Sequence, residues 1–341
     1  MEELIFIIIS FLFFNFFNHF LIKKKFLLNY SGSIHQKFSG TTNVPLTGGI
    51  FIFFSILYLY FNEIESIIYL FSFLFLLGLA TDLKITNSPK TRFLIQTTLL
   101  FLIVYISDLR ITPTRIYIID FLTSNILLSY LFSTFCFLIL INGSNFIDGL
   151  NGLLVGYYLL ISIIFFQLNF INFLDIESNN LLFFLVILFI LFLFNLFKKS
   201  FMGDTGAYIL SFFYGYLLIK IYVNYQIFSP FFVILLLWYP CFENLFSILR
   251  KFKLKRSPIE PDNNHLHQLI FFYLKKKYKT KNIFANNCGS LIILLYNLII
   301  FGLGIQNISN TQYQIILLIL NLFIYCAVYF KLFAYKYNIK I

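Results

Sequence analysis

Residues 181–197 read LLFFLVILFILFLFNLF and are followed at once by Lys198-Lys199-Ser200-Phe201-Met202-Gly203-Asp204-Thr205-Gly206. The first segment has no charge and no alternation of apolar and polar residues, so it reads as a helix in hydrocarbon rather than a barrel strand. The second is polar, basic and glycine-bearing, and it opens another apolar run. Segments of this kind, near the roughly 20 residues needed to cross about 30 Å of hydrocarbon, recur along the chain. Of its 341 residues, 60% are hydrophobic and only 11% charged, which excludes an ordinary soluble domain.

Eleven helices are predicted, at about 3–22, 46–62, 66–81, 93–107, 121–141, 150–168, 181–197, 206–223, 228–249, 287–305 and 314–333. The reading is an all-α polytopic membrane protein forming one integral-membrane domain over 1–341, with a long inner loop at 250–286. The first run, Leu4 to Ile22, is too long for a signal-peptide core and is read as a retained helix. The 49 Phe are read as lipid-facing filler. Cys136, Cys241, Cys288 and Cys326 have no metal-ligand or disulfide spacing.

Placing the N-terminus outside leaves Arg110, Arg115 and Lys220 on the outer side and the other 22 of the 25 Lys and Arg inside, with a cytoplasmic C-terminus. That asymmetry follows the positive-inside rule. The net charge of +11 is therefore a topology signal and does not indicate nucleic-acid binding.

Six of the 14 acids then fall on the inner side: Asp82, Asp148, Asp204, Glu243, Glu260 and Asp262. Five of these six lie in short polar blocks at the ends of helices. The Gly48-Gly49 pair opens a helix where backbone N–H groups can approach an anion, although packing is the commoner use of such a pair. Thr81-Asp82-Leu83-Lys84 is followed by Ser88-Pro89-Lys90-Thr91-Arg92, an acid among cations. Asn142, Asn145, Asp148 and Asn151 recur at spacing three, roughly one helical face. Polar side chains at membrane depth must face protein or water. Asp204 lies between glycines at a helix start, which suits a divalent ion such as Mg²⁺ (or Mn²⁺), typically held by one or two carboxylates and substrate oxygens. The fifth block, the long inner loop from Arg250 to about Asn286, carries His265 and His267 in a loop or at a helix start. His19 reads as structural, and His35 is a further inner histidine.

These blocks, in this order, resemble the polyprenyl-phosphate N-acetylhexosamine-1-phosphate transferases, and are closer to the WecA-like branch of that family than to its peptidoglycan branch. The motifs that carry the resemblance are Val44 to Gly49, Asp82-Leu83-Lys84, Ser88 to Arg92, Asn142 to Gly152, Phe201 to Asp204, and Pro261 to His267.

The resemblance implies transfer of a HexNAc-1-phosphate, in the first place GlcNAc-1-phosphate, from a UDP-sugar to undecaprenyl phosphate with release of UMP. That step begins a cell-envelope polysaccharide such as O-antigen, at a cytoplasmic active site in the bacterial inner membrane. It also implies Asp204 as metal ligand with Asn145 nearby, and Asp148 and Asn151 at the nucleotide. Lys90 and Arg92 would contact phosphate, with Gly48, Gly49 and Asn142 in the substrate set. Asp82, His265 and His267 complete the catalytic group.

Four positions depart from the family pattern: Thr81 and Asn151 stand where Asp is frequent, Asn263 where a basic residue is usual, and Gln268 where a further histidine is usual. The first departure argues against a leading aspartate as covalent nucleophile, and the second suggests a neutral uracil contact. A homodimer is left open. A transporter or lipid flippase is the alternative, since broken helices at membrane depth also mark transport sites.

Overall fold

The computed structural model describes residues 2–29, 43–86, 88–170, 178–255, 257 and 263–339. These residues form helices, with no strand among them beyond a single bridge between Leu28 and Pro45. The helices are α1 (Glu2–Lys24), α2 (Gly48–Leu59), α3 (Phe61–Ile64), α4 (Ile68–Asp82), α5 (Pro89–Ile106), α6 (Tyr117–Thr123), α7 (Ile126–Ile147) and α8 (Leu153–Gln167). They continue as α9 (Ser178–Leu196), α10 (Gly203–Tyr225), α11 (Pro230–Lys253), α12 (Leu266–Tyr278), α13 (Asn282–Ile305) and α14 (Thr311–Tyr337). Each of the eleven predicted helices has its counterpart. Eight spans among the described residues are long and apolar enough to cross a membrane. This is an all-α polytopic membrane protein.

Three helices lie outside the eleven predicted, the first being the one-turn α3 that follows α2. The short α6 lies at the end of the bundle read as outer. The amphipathic α12 lies inside the segment read as the 250–286 loop. Its apolar face, Leu266, Leu269, Ile270 and Phe271, is buried, while Lys275, Lys276 and Lys277 are exposed.

Helix α10 is the hub. Its span is 89% buried, against 22–56% for the other seven. It packs on α2, α4 and α7, and also touches α8 and α11. The outer helices turn aromatic and aliphatic side chains outward, among them Phe16, Phe73, Phe189 and Phe323, but Phe53, Phe71, Phe137, Phe212, Phe213 and others are buried in the core, so lipid-facing filler describes only part of the phenylalanines. At 12 and 15 residues, α2 and α8 are too short to cross hydrocarbon alone at 1.5 Å per residue, and both sit against neighbours.

Two local features depart from regular helix geometry. Pro240 inside α11 has no N–H for the carbonyl of Leu236, and the Tyr157 hydroxyl donates to that carbonyl instead, at 2.8 Å. Between α7 and α8 the chain turns through Gly152, whose φ of +73° favours glycine. The N–H groups freed there donate to side chains from other helices. Asn151 N–H reaches Asn286 Oδ1 and Gly152 N–H reaches Asn195 Oδ1, both at 2.7 Å.

Candidate active site

The site is assembled at the start of α10. Gly203, with φ +68°, brings the chain into the helix so that its first amides face Asp82 at the end of α4. Asp82 Oδ1 accepts from Asp204 N–H at 2.8 Å, and Oδ2 accepts from Thr205 N–H at 3.1 Å and from the Thr205 hydroxyl at 2.5 Å. Asp82 is thus a cap delivered from another helix, a favourable place for negative charge. A Cβ on Gly203 would lie 2.6 Å from Asp82 Oδ2, so glycine is needed here for space as well as for φ.

Asp204 points the other way. Its Oδ2 accepts from Arg92 Nη1 of α5 at 2.9 Å and from the Tyr208 hydroxyl at 3.4 Å, and the Asn145 side chain of α7 lies beside it. The Arg92–Asp204 pair is about one quarter exposed, so it is open to solutes. Asp148, just past the end of α7, faces the Gly203 N–H. Burial, and repulsion from Asp204 and then Asp82, hold the Asp148 carboxyl well above the usual carboxylate range. Three carboxylates from three helices therefore crowd round one turn, with Arg92 against one of them.

Among the described residues, no group of three or more His, Cys, Asp or Glu is arranged to hold a metal ion. The available donors are the carboxylate of Asp204 and the carboxamide of Asn145. These are hard oxygen donors at a negatively charged site, and they fit a cation that takes few protein ligands and completes its shell with substrate oxygens.

The histidines are joined to this cluster through the third block. His265 precedes α12 in extended conformation and His267 lies in its first turn. Two residues two apart do not share a helical face, yet these rings stack at 5.6 Å, because His265 is outside the helix. The His265 ring also packs on Phe146 at 4.9 Å. His267 Nε2 lies so close to Gly149 that a Cβ there would stand 2.7 Å away.

Several anticipated residues are used by the protein itself. Gly48 N–H donates to Phe201 O at 3.0 Å and Gly49 N–H to Met202 O at 3.3 Å, while Phe201 N–H donates to Pro45 O at 2.9 Å. The glycine pair thus lets α2 meet the α10 loop backbone to backbone, and its amides do not face an open anion site. The four side chains at spacing three do not all meet at the cluster. Asn142 bonds Leu138 O and Gln96 of α5, Asn145 reaches Asp204, Asp148 reaches Gly203, and the Asn151 carboxamide donates to Asn287 of α13 at 2.8 Å. The helix runs on to Ile147 and then breaks, so Asn151 is carried away from the other three. Lys90 is exposed in the first turn of α5. Glu260 and Asp262 fall outside the described residues.

Sequence reasoning gave Glu243 no role. The structure buries it completely in α11, bonded to His265, the Leu266 N–H and Tyr325. Gln268, the departure from the family pattern, accepts the His265 N–H at 3.2 Å. Arg250 binds Asn264 O at 2.7 Å, and Lys336 binds Asn263 O at 2.7 Å, fixing the turn that leads into α12.

The glycosyl transferase family 4 model matches residues 64–222, which include Asp82, Lys90, Arg92, Asn142, Asn145, Asp148, Asn151 and Asp204 but neither histidine nor the Gly48-Gly49 pair. The chain is 27% identical over 290 residues to the undecaprenyl-phosphate alpha-N-acetylglucosaminyl 1-phosphate transferase of Thermotoga maritima, covering 83% of this chain and 84% of that one. It is 29% identical over 208 residues to the probable undecaprenyl-phosphate N-acetylglucosaminyl 1-phosphate transferase of Bacillus subtilis, covering 58% of this chain and 55% of that one.

Proposed function

We propose that this chain, which is similar to undecaprenyl-phosphate N-acetylglucosaminyl 1-phosphate transferases, moves GlcNAc-1-phosphate from UDP-GlcNAc to undecaprenyl phosphate, releasing UMP. On this reading it works at the cytoplasmic face of a bacterial inner membrane and begins a cell-envelope polysaccharide. The observation that carries the reading is the meeting of Asp82, Asp148 and Asp204 with Arg92 and Asn145 at the start of α10.

The acceptor is a phosphate monoester with a second pKa near ~6, so at neutral pH it is mostly dianionic and needs little help from a base. One of its oxygens attacks the β-phosphorus of the UDP-sugar. The new P–O bond forms as the bond to the bridging oxygen breaks, and UMP carries that oxygen and its charge away. The difficulty is to bring a dianion to a diphosphate, which requires positive charge around both. Arg92 and Lys90 supply it from α5, and His265 and His267 offer hydrogen bonds from α12. Asp204 with Asn145 would hold Mg²⁺ or Mn²⁺, which when bound offsets charge on the diphosphate. Asp82, with its oxygens engaged by the start of α10, suits positioning rather than covalent attack. Asp148 lies between that start and Gly149, against which His267 packs. A transport site would need polar groups reachable from both ends of the bundle, whereas the carboxylates and Arg92 of this cluster lie at helix ends.

The test is release of UMP from membranes carrying this protein, given Mg²⁺, undecaprenyl phosphate and a panel of UDP-sugars. Release with UDP-GlcNAc is expected. No release with any sugar would end the reading.

A further inference from the structure

We propose that Glu243 is a positioning residue that fixes the ring tautomer and orientation of His265. The role of His265 in transfer rests on the function proposed above, but the placement of its ring proton does not. Glu243 sits within the apolar helix α11 with no exposed surface. An ionisable group at such depth is costly and is retained for function or for a specific partner. Its partners come from distant parts of the chain. Oε1 accepts from Leu266 N–H at 2.9 Å and from the Tyr325 hydroxyl at 2.8 Å, and Oε2 lies 2.9 Å from His265 Nδ1.

A residue needed only to cap α12 would be satisfied by the Leu266 bond. The second oxygen instead meets the imidazole. An ionised carboxylate only accepts hydrogen bonds, so the Oε2 contact calls for the proton on Nδ1, in competition with the Gln268 N–H that faces the same side chain at the start of α12, and the state of Nε2 is set by what it meets in the site. The plane of the ring is fixed as well, between Phe146 and His267. His267 abuts Gly149, next to Asp148, so the orientation chosen at Glu243 extends to the carboxylate cluster. The turn before the ring is tied down by Arg250 and Lys336, which limits other ways for the imidazole to settle.

Glu243→Gln separates positioning from simple packing. The carboxamide has nearly the same shape, and its oxygen can still accept the Leu266 N–H. Its NH₂ would donate to Nδ1 and drive the ring proton to Nε2. Tyr325→Phe is the companion variant, since it removes one bond to Glu243 and leaves the carboxylate on Nδ1. The experiment uses the full chain in lipid nanodiscs with ¹⁵N-labelled histidine, the His265 signals being identified by their loss in His265→Gln, together with transfer kinetics.

In the wild type and in Y325F, Nδ1 is expected to be protonated. In E243Q the proton is expected on Nε2, with kcat reduced at least about tenfold and KM for the UDP-sugar nearly unchanged. A protonated Nδ1 in E243Q, an unprotonated Nδ1 in the wild type, or wild-type kcat in E243Q overturns the proposal. If the wild type turns over no UDP-sugar, the transferase reading fails, and the ring-proton result alone decides whether Glu243 sets the tautomer.

Discussion

The carboxylate of Asp82 receives the backbone N–H of Asp204 at 2.8 Å, across 122 residues of sequence. One acidic residue therefore sets the position of another by holding the helix that carries it. Asp82→Ala removes three hydrogen bonds from the start of α10 and is expected to cost about 1–3 kcal/mol, by analogy with lost caps and unsatisfied buried donors. Asp82→Asn keeps an acceptor oxygen and should lie between. Denaturation in detergent measures both. No phosphorylated Asp82 should be trapped during turnover, and mass spectrometry of quenched enzyme that finds one would refute single-step transfer.

Gly49 lies against Gly206. An added Cβ would stand 2.7 Å from the Gly206 Cα and nearer still to its nitrogen. Backbone cannot yield as a flexible side chain does, so Gly49→Ala should destabilise by about 1–3 kcal/mol or more. Gly302→Ala is the control, because no atom lies within 4 Å of its added Cβ. A melting temperature in G49A equal to that of G302A would contradict the close approach of α2 and α10.

Arg92 and a divalent cation would compete for Asp204. Mg²⁺ should raise the melting temperature of the wild type, by up to about 2.7 kcal/mol in stability at one hundred times Kd. Asp204→Asn should lose both that shift and transfer activity. An undiminished shift in D204N would remove Asp204 as the metal ligand.

Asp148 titrates above the ordinary carboxylate range because of its burial and the neighbouring Asp204 and Asp82. The folded protein therefore retains a proton that the unfolded chain releases. This contribution to stability is fully present below the unfolded pKa of about 4, and it is lost as pH rises towards the raised folded value. Asp148→Asn should flatten that part of the profile and be at least as stable as wild type at neutral pH, while losing activity. Melting temperatures across pH provide the check, and a steeper fall in D148N would be the opposite of what repulsion predicts.

Asn195 holds the Gly152 N–H in the break between α7 and α8. Asn195→Leu should leave that amide without its acceptor and cost about 1–3 kcal/mol. Hydrogen exchange at residues 150–153 should rise in the same variant, and unchanged protection there would show that another acceptor had replaced it.

The helices were legible because long apolar runs leave the chain little choice in hydrocarbon. The blocks at their ends were legible because acids and glycines stand out against that background. What was hidden depended on partners far apart in sequence. Gly48 and Gly49 invite an anion until Phe201 and Met202 are seen to take their amides. Asn151 continues a spacing of three, but Gly152 turns the chain before the pattern is complete, and Asn286 and Asn287 claim the residue. The amphipathic α12 was read as loop because its lysines and histidines dominate a short segment. Glu243 offered no local sign of purpose, since its partners lie 22, 23 and 82 residues away.

The attachment of Glu243 to Tyr325 also orders events during synthesis. The family 4 match is complete by residue 222, and the carboxylates of α4, α7 and α10 can meet once α10 has inserted. The histidine arm is held by Glu243 and Arg250 of α11, and its last holds, Lys336 directly and Tyr325 through Glu243, come only with α14. A ribosome therefore releases a chain whose carboxylate cluster can form early and whose histidine arm gains its last supports at the end.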